Sequence, residues 1–510
     1  MTVGFNSISS DVMVPLFYAE IDNSKANTAQ TSGASLLIAQ PLANATIERN
    51  TPVLMPGADQ ARRLCGRGSP LARMVDAYRK TDPFGELYVI ATVDADDSKA
   101  ATGQIEISGQ ALATGTISLY VGAVRVQSVV SLDDTAMQVA EALVQSLKSV
   151  SDLAFTAKAE ALATEDSDTA ALITLTAKYP GVTANGFPLA LNYYGATGGE
   201  EVPDGLNIKI QPVAGGAGSV QLEAAIAGMG DEPYDYIGLP FNDPVSLIAM
   251  NTEMDNSSGR WSWTRMLYGH VYTARIAAFS DLINFGGIWN SEHLTVCGYE
   301  PSTQTPVDEI IAARLGRQAA FLRNDPARPT QTGDITGVLP APKGRRFLTT
   351  ERQSLLARGI ATATVNGGVL QIERDVTTYK QNKYGVTDNS YLDSETLHTS
   401  AYVIRRLKSV ITSKYPRHKL ADDGTRYGAG QAIVTPSVIK GELCAAYKAM
   451  ERAGIVENFE VFKKNLIVER NANNPNRVDV LFPPDYVNQL RIFALVNQFR
   501  LQYSDEEISA

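Results

Sequence analysis

Histidine is scarce in this chain, and its placement decides much of the chemistry that can be expected. The four are His270, His293, His398 and His418. No two stand at metal-ligand spacing, and Glu292-His293 lacks the second histidine of an HExxH helix. Cys65, Cys297 and Cys444 are widely separated, form no CxxC, and their odd number gives no complete disulfide framework, which fits a reducing compartment such as a bacterial cytoplasm. Neither a cysteine-nucleophile motif nor a GxSxG is present. Gly215-Gly-Ala-Gly218 precedes an alanine-rich helix, Val220 to Ala227, an arrangement that can cradle a phosphate. It carries no GK[ST] and no GxGxxG, so a tight turn is the preferred reading. Asp422-Asp423-Gly424 reads as a surface turn completed by glycine rather than as a carboxylate cluster for a cation. The expectation is therefore no catalytic residue, no cofactor site and no metal site.

The remaining chemistry is that of recognition. Lys448 and Arg452 are four apart on a helix spanning 436–453, on the side away from its apolar stripe, and Lys463 and Lys464 follow. Like charges at that spacing repel. The group is either a solvated basic face or a docking face for an acidic surface. Asn497 to Tyr503 alternates, with Phe499, Leu501 and Tyr503 on one side of an extended strand and Gln498, Arg500 and Gln502 on the other. No strand candidate lies next to it in sequence, so it must pair with an earlier strand or with another molecule. Val12 to Ile21 is also β-prone, but Pro15 cannot donate to a ladder, which suits an edge strand or an extended tie.

Behind these stand the elements that must position them. The helix 436–453 has Thr435 as its expected N-cap, Pro436 at its first position and Gly454 at its stop. Ile439, Leu443, Ala446, Tyr447 and Met450 form its apolar stripe. Strands are expected over 465–469 and 477–482, joined by the turn-rich tract Asn471 to Asn476 and stopped by Pro483-Pro484. Earlier, a buried strand at 34–39, an interrupted helix over 58–80 and a buried strand at 86–93 suggest an α/β layer. Leu206 to Ile210 is read as the return to that layer. Further strands are read at 234–240 and 368–374, and helices at 244–251, 351–359 and 392–415.

Composition shifts between these parts. The chain has 510 residues, enough for more than one core. Residues 96–206 hold 5 Lys and Arg against 14 Asp and Glu, so this stretch supplies −9 of the net charge of −10. Its strands alternate cleanly and surround one helix with Val139, Leu143, Val144 and Leu147 on its apolar face. An acidic unit of this kind reads as an outward, solvated domain. The overall negative charge argues against a nucleic-acid coat. No basic n-region precedes an apolar run at the N-terminus, and no apolar run is long enough to cross a bilayer.

Several motifs together resemble a known family. They are Tyr379, Gly385-Val-Thr-Asp388, Ser390-Tyr-Leu-Asp393, Glu395-Thr396, Tyr415-Pro-Arg-His-Lys-Leu-Ala421, Gln431-Ala-Ile-Val-Thr-Pro436 and Val468-Glu-Arg-Asn471. Phe5-Asn6, Pro15 to Glu20, Asp22-Asn-Ser24 and Asp325 to Pro329 add to them. In this order, across the whole chain, they resemble the tail sheath proteins of Mu-like contractile-tailed bacteriophages.

The resemblance implies stacked six-membered rings around a tail tube, contraction without cofactor or hydrolysis, and extended arms that add strands to neighbouring subunits. It implies partners in further copies of the chain, the tube protein and the baseplate and terminator proteins. Neither nucleic-acid contact nor membrane insertion is implied. The expected site is the virion tail, with assembly in the host cytoplasm.

On this reading the fold is α/β (α+β) and multidomain. It divides into an N-terminal arm (1–30), a middle domain (31–95 and 207–350), an inserted β-rich acidic outer domain (96–206), an inner domain (351–496) and a C-terminal arm (497–510). Val12, Val14, Leu16, Tyr18, Phe499, Leu501 and Tyr503 become arm contacts, and Lys448, Arg452, Lys463 and Lys464 the tube-facing group. A tailocin sheath shares every one of these features. A cytoplasmic α/β enzyme with an inserted β domain is the competing class, and it requires a pocket of convergent titratable groups.

Overall fold

A computed structural model describes residues 33–162, 170–428 and 430–501. The expected N-terminal arm, with Val12, Val14, Leu16 and Tyr18, and Tyr503 of the C-terminal arm lie outside the described residues.

The fold is mixed α/β, with a central sheet of eight strands. Ile360–Asn366, Leu294–Tyr299, His270–Ile276, Tyr236–Gly238, Ser35–Ala39 and Leu87–Ala91 run parallel in that spatial order. Val369–Arg374 and Pro52–Leu54 close the two edges antiparallel. Alternate residues feed opposite cores, as a pleated strand requires. Leu37 and Ala39 pack towards helices Ala58–Cys65, Pro70–Thr81 and Val307–Asn324. Leu36 and Ile38 face helices Leu222–Gly228, Pro244–Met254, Phe279–Ile288 and Thr349–Ala357. The interruption at Gly66–Ser69 separates the first two helices, and Ser69 caps the second by accepting from the Ala72 N–H at 3.1 Å.

Residues 100–214 build their own core. One antiparallel sheet orders Leu206–Ala214, Ala100–Gly109, Ala170–Pro180 and Phe155–Ala161, and a second orders Val124–Val130, Gly115–Val121 and Leu189–Leu191. Helix Ala136–Ser149 lies against them through Val139, Leu143, Val144 and Leu147, capped by the reciprocal Thr135–Gln138 pair. The expectation that Leu206–Ile210 rejoins the first layer is not met. Leu206–Ala214 pairs with Ala100–Gly109 along its length and stays with the acidic stretch.

A terminal lobe follows helix Ser394–Lys414. Helix Pro436–Arg452, helix Phe459–Asn465 and the hairpin Ile467–Arg470/Val478–Leu481 enclose Tyr447 and Phe462, whose rings stack at 3.7 Å. Two local expectations change. Thr435 makes no side-chain cap, its hydroxyl pairing instead with that of Ser437 at 3.0 Å. The helix start is satisfied by Asp423, which accepts from the Ser437 N–H at 3.1 Å, so the 422–424 turn has a structural task. The first hairpin strand also begins two residues late, because Asn465 still closes a helix.

Candidate assembly interface

Among the described residues, no group of three or more His, Cys, Asp or Glu side chains could hold a metal ion. The fold does bring together two histidines far apart in sequence. His270 and His398 have ring centroids 5.9 Å apart, and His398 Nε2 meets the Tyr272 hydroxyl at 2.9 Å. Burial holds both imidazoles in the neutral form, His398 down to about 4 and His270 well below its ordinary value. Both are buried between strand and helix. They fasten helix 394–414 to the central sheet, together with the two-bond ion pair Arg405–Asp235. No described helix is long and apolar enough to cross a membrane.

Among the described residues, large exposed apolar side chains concentrate over 490–501. Leu490, Ile492, Phe493, Leu495, Val496, Phe499 and Leu501 are 73% to 98% exposed. A stripe of this kind marks an interaction surface. Sequence alternation selected Phe499 and Leu501 but passed over the run that begins at Leu490. The expected strand is not formed over the described 497–501. An extended segment gains sheet geometry only when a second strand supplies its hydrogen bonds.

The root of the tail is fixed at successive points. Tyr486 bridges Val456, and Val487 donates to the Ile455 carbonyl at 3.2 Å. Gln489 then donates to the Ala327 carbonyl at 2.9 Å, and Arg491 reaches Glu395 at 3.0 Å. The segment thus crosses from the terminal lobe to the central body and leaves after Arg491.

Two further surfaces accompany it. The hairpin Ile467–Arg470/Val478–Leu481 is a sheet of only two strands, with Ile467, Val480 and Leu481 exposed. The basic residues Lys448, Arg452, Lys463 and Lys464 are all exposed. Lys448 is not simply solvated. Its ammonium lies 4.3 Å from the centroid of Phe459, the first residue of the helix that carries Lys463 and Lys464.

Two family models match the chain, Phage tail sheath protein central domain over residues 215–378 and Phage tail sheath C-terminal domain over 386–500. The Mu-like prophage FluMu tail sheath protein of Haemophilus influenzae is 36% identical over 504 residues, covering 98% of this chain and 100% of that protein. The chain belongs to the phage tail sheath family. This sheath protein is therefore a structural component of a phage virion tail. Solved structures similar to it include the sheath tail proteins of Desulfitobacterium hafniense and Listeria innocua. The first has a TM-score of 0.48 at 11% identity, covering 94% of this chain and 97% of that one. The second has a TM-score of 0.48 at 11% identity, covering 89% and 92%.

The C-terminal family match takes in helix 394–414, the terminal lobe and the tail as far as residue 500. The exposed apolar stripe as far as Phe499, the two-stranded hairpin and the basic face of this sheath protein fall within it. The central match begins at residue 215, immediately after the strand Leu206–Ala214 that completes the acidic unit.

Proposed function

We propose that this protein is the repeating subunit of a contractile tail sheath, stacked as six-membered rings around the tail tube. Shortening of the stack drives the tube through the host envelope for genome delivery. The energy resides in subunit packing, and the protein acts without catalysis, cofactor or hydrolysis. Assembly takes place in the host cytoplasm, and partners are further copies, the tube protein and the baseplate and terminator proteins.

The observation that carries this reading is the exposed apolar run over 490–501 in a chain that also holds a hairpin of only two strands. An exposed apolar segment and a short sheet of two strands are the two parts that strand exchange between copies requires. Val12, Val14, Leu16 and Tyr18 form the N-terminal arm, and Phe499, Leu501 and Tyr503 the C-terminal one. Main-chain ladders at arm ends let neighbours rotate as rigid bodies while staying linked. Lys448, Arg452, Lys463 and Lys464 face the tube, where exposed, salt-screened contacts suit a surface that must release. The acidic unit, extended to residue 214 by its last strand, lies outermost, the middle domain (31–95 and 215–350) supports it, and 351–496 lie innermost.

Negative-stain electron microscopy of the protein produced without other phage components tests this reading. Hollow tubes or stacked rings of uniform diameter are expected. Compact monomers at every concentration and salt, with or without added tube protein, would overturn it.

A further inference from the structure

Arg491 closes a chain of buried polar groups that begins in the middle of the central sheet. Arg314, on helix Val307–Asn324, donates through Nη1 to the Tyr299 hydroxyl at 3.0 Å and through Nη2 to Asp375 Oδ1 at 2.6 Å. Both Arg314 and Asp375 have fully buried side chains. The Thr330 hydroxyl joins Asp375 Oδ2 at 2.6 Å and Glu395 Oε1 at 2.9 Å, and the Thr330 N–H adds a third bond to Glu395 at 3.0 Å. Arg491 Nη2 then meets Glu395 Oε1 at 3.0 Å and Asp393 Oδ1 at 3.4 Å. Asp393 is held on its other side by Arg374 at 2.7 Å. Asp375, Asp393 and Glu395 thus lie among Arg314, Arg374 and Arg491.

Glu395 is the weak link of this series. Among the described residues, its side chain has no exposed surface, its Oε2 has no hydrogen-bond partner, and Arg491 is the one cation paired with it. Burial pushes its carboxyl up, and Arg491 is the strongest influence holding it down. Arg491 itself is only 11% exposed, while Ile492, the next residue, is 79% exposed. Burial ends there within one residue.

We infer that Arg491 is the positioning residue of the C-terminal arm: it plugs the buried Glu395–Asp393 site, fixes the arm's root to the central sheet, and places the arm's pivot between Arg491 and Ile492. The inference rests on the arm reading above. It adds that pulling on the arm is passed to Tyr299 and the sheet through Glu395, Thr330, Asp375 and Arg314, not only to the terminal lobe. It also means that withdrawing Arg491 leaves a carboxylate stranded in the protein interior, so peeling the root back is strongly opposed.

Trypsin tests this on the full chain, because cleavage after Arg491 needs that side chain to leave its site. Slow cutting is expected in the native protein. In Glu395→Gln, which keeps an acceptor for Thr330 but removes the charge, cutting after Arg491 should rise at least tenfold with little change in global melting. Equal cutting in two folded proteins would overturn the proposal. Should Glu395→Gln fail to fold, hydrogen exchange of amides 486–491 in Arg491→Gln and Arg491→Lys asks the same question. Tenfold faster exchange in Gln with partial rescue by Lys supports the anchor, and unchanged exchange refutes it. A chain ending at Arg491 separates the two readings. If it polymerises normally the arm reading falls, whereas the cleavage result judges the anchor alone.

Discussion

The central sheet and the last residues of the chain treat the same problem in opposite ways. In the sheet, six parallel strands hide both faces beneath helices, and even its deepest charges, Arg314 and Asp375, are paired inside the chain. Parallel sheets are stable only when covered in this manner. In the tail, seven large apolar side chains from Leu490 to Leu501 stand in water with no ladder. One region completes its structure alone, and on the proposed reading the other is completed by a second copy. A polymer that forms and rearranges would use both, a body that does not yield and a connector that joins neighbours.

That contrast can be broken at either end. Removing residues 497–510 should abolish polymerisation outright while leaving monomer stability within about 0.5 kcal/mol, since exposed apolar groups contribute little to the folded chain. Electron microscopy and calorimetry read the two halves of that statement. The opposite change, Asp375→Ala, should cost about 3–5 kcal/mol in urea denaturation, because it strands a fully buried guanidinium.

Acid separates the regions without mutation. His398 is held neutral down to about 4, against an ordinary value of 6.5 that the unfolded chain retains. The unfolded state therefore binds the proton first as pH falls. Stability is fully present above 6.5 and declines towards pH 4, by on the order of 3 kcal/mol. His293, also held down to about 4, acts in the same direction, and His398→Gln should flatten the slope in pH-dependent denaturation. Charge reversal at Lys448 and Arg452 should also leave the monomer nearly unchanged. It should move stability by no more than about 1 kcal/mol. Co-sedimentation should nonetheless show weaker binding to the tube and undiminished self-assembly.

How much of this was legible in sequence follows from what periodicity can report. Alternation located the acidic unit's strands and the helix with Ile439, Leu443 and Tyr447, because each has one wet face. It passed over His270–Ile276 and Leu294–Tyr299, strands buried on both faces whose apolar and polar residues follow no period of two. Phe155–Ala161 escaped as well, since its alternate positions are mostly alanine. Leu206–Ala214 was recognisable as a strand, but a pattern states which face is buried and not which strand is adjacent. Of the candidate site, the tail's last residues and the basic face could be read directly. The run from Leu490 was readable too, since Leu-Arg-Ile-Phe-Ala-Leu-Val needs only a count of apolar residues. Arg491 was not, because its partners Asp393 and Glu395 lie about a hundred positions earlier and only folding joins them.

The acidic unit leaves the central body and returns to it through two neighbouring bridges, Val93 with Gln221 and Lys99 with Ala217. Its two ends are therefore already side by side, one ladder spacing apart. A short turn could join them and restore a continuous chain. Such a plug-in geometry lets evolution, or a designer, exchange the cargo carried at that position while the sheet beneath keeps its register.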